Sequence, residues 1–87
     1  MSARTVTEDG IKAKILDTRF LHDGTLTICI IEVVNGFKFV GTSACVDPAK
    51  YDVAIGQDLA QKDAFRQIWS HEGYLLAEAM LHEETML

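Results

Sequence analysis

Five cations, Arg19, Lys38, Lys50, Lys62 and Arg66, are spread along an 87-residue chain, and an aromatic residue stands beside most of them. Phe20 follows Arg19, Phe39 follows Lys38, Tyr51 follows Lys50, and Trp69 comes shortly after Arg66. An aromatic face stacks a base while a guanidinium or ammonium group neutralises phosphate, so the combination is the chemistry of nucleotide binding without turnover. Lys62 and Arg66 share one helical face, although the same spacing is normal on a solvated helix. The candidate ligand-binding set is therefore Arg19, Phe39, Lys50, Tyr51, Lys62 and Arg66. In this reading Lys62 and Arg66 counter phosphates, Phe39 or Tyr51 stacks a base, and Arg19 closes the pocket from a neighbouring chain. The competing reading of Phe37, Phe39, Phe65 and Trp69 is core packing.

Other chemistry finds little support. Glu78 and His82 are four apart, but two ligands are too few for zinc, and His22 and His71 fall elsewhere in the chain. No metal or other cofactor is expected. Cys29 lies among aliphatic residues and Cys45 precedes Asp47, whose charge disfavours a thiolate, so neither reads as a nucleophile. Ser43 has no G-x-S-x-G context, and the glycines form no phosphate-binding pattern. The chain reads as a binding protein, not an enzyme.

Eight basic against thirteen acidic residues give a net charge of -5, which argues against a duplex nucleic acid partner. The longest apolar run, Ile28 to Ile31, is too short to span a bilayer, and MSARTVTEDG has no apolar centre of a signal peptide. A soluble protein of the cytoplasm is expected, with no membrane partner and with both cysteines reduced. At this length one domain with one modest core is expected.

Residues 1–10 read as a flexible arm, and residues 11–87 as the single domain. IKAKILDTRFL from Ile11 reads as a first strand, closed by the Asp-Gly turn His22 to Thr25. Leu26 to Val34 and Phe37 to Val46 read as the second and third strands, joined at Asn35-Gly36 in a type I′ turn. That turn pairs Val34 with Phe37, Glu32 with Phe39, Ile30 with Gly41 and Cys29 with Thr42, and it puts the two thiols on opposite faces. One face then carries Leu26, Ile28, Ile30, Val34, Phe37 and Phe39, and the other carries Ile31, Val33, Val40, Ala44 and Val46.

Asp47 before Pro48, and then Asp52, read as helix N-caps. After Asp52 the ridge Gly56, Ala60, Ala64 and Ile68 recurs every four residues, with Ile55, Leu59, Phe65 and Trp69 beside it. Such a small-sided ridge permits close approach to a sheet. Ser70 to Gly73 reads as a break before a second helix from Tyr74. The fold class is α+β: an antiparallel β-meander of about three strands followed by one long and one shorter helix packed on one face. That helix content covers one sheet face and leaves the other apolar, so a homo-oligomer, a dimer or higher, is expected.

The run from Thr27 to Leu76 resembles a family of small bacteriophage proteins typified by phage gene products 49 and 66. The likeness is carried by Asn35-Gly36-Phe37, by Gly41, Ser43, Cys45, Val46 and Pro48, by Tyr51, Asp52, Ile55 and Gly56, and by Ile68, Trp69, Gly73, Tyr74 and Leu75. Two departures stand out. Many members have Asn-Phe-Asp at positions 50 to 52 and Pro at position 70, and Ser70 here could let the two helices run together. A more distant likeness is to phage anti-Thoeris proteins of the first described kind, which are oligomeric sponges for cyclic ADP-ribose-type signals and, in some cases, cyclic oligonucleotides. The resemblance implies a phage origin, a host-cytoplasmic location and a non-catalytic counter-defence role that sequesters a small nucleotide-derived signal. The alternative is a phage protein that inhibits a host protein through an apolar surface, with Phe37 and Phe39 as the contact. A small hydrolase acting on the same signals is a third, weaker reading.

Overall fold

A computed structural model describes residues 5–85, with side chains placed through Glu83. Its elements are α1 (Glu8–Lys12), β1 (Ile15–Asp23), β2 (Leu26–Val33), β3 (Lys38–Ala44), a 3-10 turn over Pro48–Lys50, and α2 (Val53–Thr85). The strands form one antiparallel sheet in the order β1-β2-β3, and α2 packs across one face of it. The expected α+β meander with its covering helix is present.

Part of the stretch assigned to the arm is helical. Thr7 caps α1, accepting from the Gly10 amide at 3.0 Å, and Ile11 is buried in the core instead of opening the first strand. Residues 1–4 lie outside the described residues.

The two hairpin turns differ from one another. Gly24 has φ 59° at the first of two loop positions, the conformation a type II′ turn requires. At Asn35-Gly36 the expected type I′ turn does not form, because no residue other than glycine has positive φ among the described residues. The loop spans three residues. Gly36 N–H donates to the Val33 carbonyl at 2.8 Å, Gly36 takes φ 89°, and Val33 N–H donates to the Phe37 carbonyl at 3.0 Å. A type I turn closed by a left-handed glycine gives this geometry.

That extra loop residue shifts β3 by one position. The pairs are Ile31 with Phe39, Ile30 with Val40, Cys29 with Gly41 and Ile28 with Thr42, which corrects the register read from the sequence. A one-residue slip moves every β3 side chain to the opposite face. Phe39 and Gly41 therefore join Thr27, Cys29, Ile31 and Val33 beneath α2, while Val40, Thr42 and Ala44 join Leu26, Ile28 and Ile30 on the outer face. By the same alternation Cys29 and Cys45 share a face instead of opposing one another, and both thiols are free.

Close packing explains why this register wins. A methyl group built at Gly41 would overlap the Ala60 carbonyl and the Ala64 amide and lie 2.9 Å from Ala64 Cα. Only glycine fits where the helix crosses the strand. The small ridge behaves as expected: Gly56, Ala60, Ala64 and Ile68 are all buried.

The helix break expected at residues 70–73 is absent, and α2 runs unbroken from Val53 to Thr85. Asp52 caps it, accepting from the Ala54 and Ile55 amides at 2.9 and 3.2 Å, and Asp47 caps the 3-10 turn through the Ala49 amide. Gly73 costs helix stability but has no proline to stop the ladder. At about 1.5 Å rise per residue, a helix this long outreaches the sheet, and the molecule measures 60 × 21 × 19 Å. Beyond Ile68 no α2 side chain is fully buried among the described residues, and Tyr74, Leu75 and Leu81 are exposed.

A buried polar contact ties the start of α2 to the sheet. Thr27 is fully buried, and its hydroxyl lies 3.0 Å from the Tyr51 hydroxyl, which also lies 3.3 Å from His22 Nδ1. Leaving a buried hydroxyl unpaired costs about 1–3 kcal/mol, whereas removing both partners together is close to neutral. Tyr51→Phe is therefore expected to destabilise by about 1–2 kcal/mol. Thr27→Val with Tyr51→Phe is expected to recover most of that loss in urea unfolding. A double variant as weak as the sum of the singles would remove the coupling.

Candidate functional site

The cations and aromatics singled out in the sequence are distributed over several surfaces. Arg19 stands in β1 opposite Ile30, on the outer face, with Nε 3.5 Å from Asp17 Oδ2. Phe39 is 8% exposed and sits under α2, packed edge to face against Phe37 at 5.1 Å and His71 at 5.6 Å. Its burial also corrects the expectation that Phe37 and Phe39 are exposed together, for only Phe37 is on the surface. Lys50 and Tyr51 line a small cavity of about 160 Å³ with Cys45, Ile55, Gly56 and Leu59.

Lys62 and Arg66 come together with groups that the sequence reading left apart. They line an open groove of about 660 Å³ between α1 and the solvent side of α2, whose other walls are Glu8, Lys12, Asp58, Gln61, Phe65, Trp69 and Ser70. Phe65 and Trp69 form its apolar floor, with ring centroids 6.4 Å apart and planes tilted by 46°. Trp69 is 42% exposed, so the core-packing expectation fails for it, while Phe65 packs partly against the core.

Each cation at the groove is held by a neighbouring acid. Lys12 Nζ lies 2.9 Å from Glu8 Oε2, Lys62 Nζ 3.0 Å from Asp58 Oδ2, and Arg66 Nη1 3.5 Å from Asp63 Oδ1. The Lys12 ammonium is raised in pKa by its hydrogen bond and charge contact with Glu8. These pairs are largely exposed, and exposed pairs contribute only about 0–1 kcal/mol. A ligand phosphate can replace the acids at small cost.

Lys12 and Glu8 are among the groove residues that sequence reasoning missed, with Asp58 and Gln61. The available signal was Thr7 followed by Glu8 and Asp9, an N-cap with acids in the first turn, read there as part of an arm.

A second aromatic surface lies at the other side of α2. Phe37 stacks on His71 at 6.0 Å with planes 4° apart, beside Lys38, Gln67 and Tyr74. Among the described residues, no group of three His, Cys, Asp or Glu side chains is placed to hold a metal. Burial raises the Cys29 thiol pKa, and Cys45 Sγ donates to the Asp47 carbonyl at 3.2 Å. The thiols make no contact with a base in these interactions.

The fold is that of a small α+β protein whose three-stranded meander carries one long helix. The chain belongs to the phage protein (N4 Gp49/phage Sf6 gene 66) family, whose model matches residues 6–80. It is thus a bacteriophage protein. No curated protein and no solved structure matches it. No helix among the described residues is long and apolar enough to cross a membrane.

Proposed function

We propose that this phage protein is a non-catalytic counter-defence factor that sequesters a nucleotide-derived immune signal in the host cytoplasm, of the cyclic ADP-ribose or cyclic oligonucleotide class. One observation carries the reading: Lys12, Lys62 and Arg66 line one open groove together with the rings of Phe65 and Trp69. Trp69 offers an exposed ring for a base, and the three cations meet phosphates within one groove. Phe39 is enclosed and the Tyr51 hydroxyl is engaged, so the stacking role passes from them to Trp69 and Phe65. Lys50 and Arg19 stand apart from the groove, Lys50 at the small cavity before α2 and Arg19 on the outer sheet face. The net charge of -5 disfavours anions at long range, which makes this local cluster the place where a nucleotide is held.

Sequestration requires tight saturable binding and release of the ligand unchanged. Calorimetry of the full chain with cyclic dinucleotides, cyclic trinucleotides and cyclic ADP-ribose isomers is expected to give a saturating isotherm with at least one of them. Chromatography of the ligand recovered after denaturation is expected to show it intact; a cleaved product would make the protein a hydrolase. Failure of every compound to bind would sink the sequestering role and favour the rival, inhibition of a host protein through an exposed apolar surface, with Phe37 still available as its contact and Phe39 withdrawn into the core.

A further inference from the structure

The two edges of the sheet are treated differently. On β3 the Thr42 amide donates to Asp63 Oδ2 at 3.0 Å, and Gln67 Nε2 donates to the Val40 carbonyl at 2.8 Å. Two α2 side chains thereby occupy two of the outward groups of that edge, a recognised defence against further strand pairing. β1 is the other edge, nine residues long, and among the described residues no side chain bonds to its backbone.

The ladder determines which β1 groups face outward. Val33 bonds to Phe37 across the β2-β3 turn, so Thr27, Cys29 and Ile31 also use their backbone groups toward β3. Ile28, Ile30 and Glu32 then bond toward β1 at Leu21, Arg19 and Asp17. Thr18, Phe20 and His22 are left with N–H and C=O pointing away from the sheet.

We infer that this open edge pairs with β1 of a second copy, antiparallel about a two-fold axis at Leu21, to make a continuous six-stranded sheet. Charge complementarity points to a second copy as the occupant, and together with the irregularity at the start of β1 it selects the register. Centred on Leu21, Arg19 stands opposite Asp23 of the partner subunit, twice per dimer, and Leu21, 54% exposed in one chain, meets its own copy. Phe20 and His22 exchange backbone hydrogen bonds across the axis. Centring on Arg19 sets two guanidinium groups opposite one another, and centring on Phe20 sets Asp17 opposite Asp23 of the partner subunit. Like charges at such positions are destabilising. Centring on Thr18 also sets Asp17 opposite Arg19 of the partner subunit, but it drives the contact into the irregularity between Ile15 and Asp17, where the ladder shifts register. The inference rests on the strand edge and not on any ligand.

Sedimentation of the full chain without ligand is expected to show a dimer at micromolar concentration, with the Phe20 and His22 amides slow in hydrogen exchange. Arg19→Asp, and separately Asp23→Arg, is expected to weaken the dimer about 10- to 100-fold by placing like charges opposite one another at both ends. Combining the two substitutions restores opposite charges and is expected to restore the dimer. Thermal melts of each variant distinguish dissociation from unfolding. A monomeric wild type, or a dimer that exchanges those amides rapidly and ignores both charge reversals, would overturn the inference. Neither result bears on groove binding measured by calorimetry, so the two readings fail separately.

Discussion

Replacing Gly41 with alanine is expected to destabilise the protein by about 3 kcal/mol, near the upper end for overpacking. The added carbon would collide with backbone atoms of Ala60 and Ala64, and a helix backbone cannot rotate aside as a long side chain does. Relief requires lifting α2 away from β3, which opens space around Cys29 and Ile31 and stretches the Asp63 and Gln67 bonds to the strand edge. For a domain of this size that loss corresponds to a fall in Tm of about 10–20 °C. Gly73→Ala provides the contrast: a methyl group there meets nothing within 4 Å, inside a helix where alanine is favoured over glycine by about 1 kcal/mol. Thermal unfolding of the two variants is therefore expected to shift in opposite directions. Equal small shifts would show that the crossing of α2 over β3 is looser than described.

Reversing the two groove cations, Lys62→Glu with Arg66→Glu, is expected to reduce affinity for the proposed nucleotide ligand by 100-fold or more. Charge-assisted hydrogen bonds contribute about 1.5–3 kcal/mol each, and reversal adds repulsion to their loss. The fold has little stake in either side chain, since both are largely exposed and their ion pairs with Asp58 and Asp63 contribute about 1 kcal/mol at most. Unchanged melting with lost binding is the expected combination, read by calorimetry and circular dichroism on the same samples. Trp69→Ala is expected to weaken binding by about 10- to 100-fold through lost stacking. If Lys50→Ala and Tyr51→Phe abolish binding while the groove variants do not, the ligand site lies at the start of α2 instead.

The order of elements was legible because it is written locally. Asp47, Pro48 and Asp52 announce helix starts through the hydrogen bonds their side chains offer, and the ridge from Gly56 to Ile68 announces a buried helical face by its spacing. Gly24 marks a turn because only glycine enters that backbone region freely. The α1 segment was less visible, since five residues carry almost no periodicity and Ile11 resembles the start of a strand.

Three features were decided only in three dimensions. The β3 register hinges on whether Gly41 faces α2, a contact between residues far apart in sequence, and the local preference of Asn-Gly for a type I′ turn yields to it. The groove exists because α1 settles beside α2 and brings Lys12 to Lys62 and Arg66, a meeting that no spacing encodes. The inequality of the two sheet edges arises because Asp63 and Gln67 reach β3, while β1 has no such neighbour. Local patterns specify segments because their energies come from adjacent residues; register, groove and edge come from packing between segments, whose energies depend on close contacts that appear only once the chain has closed on itself.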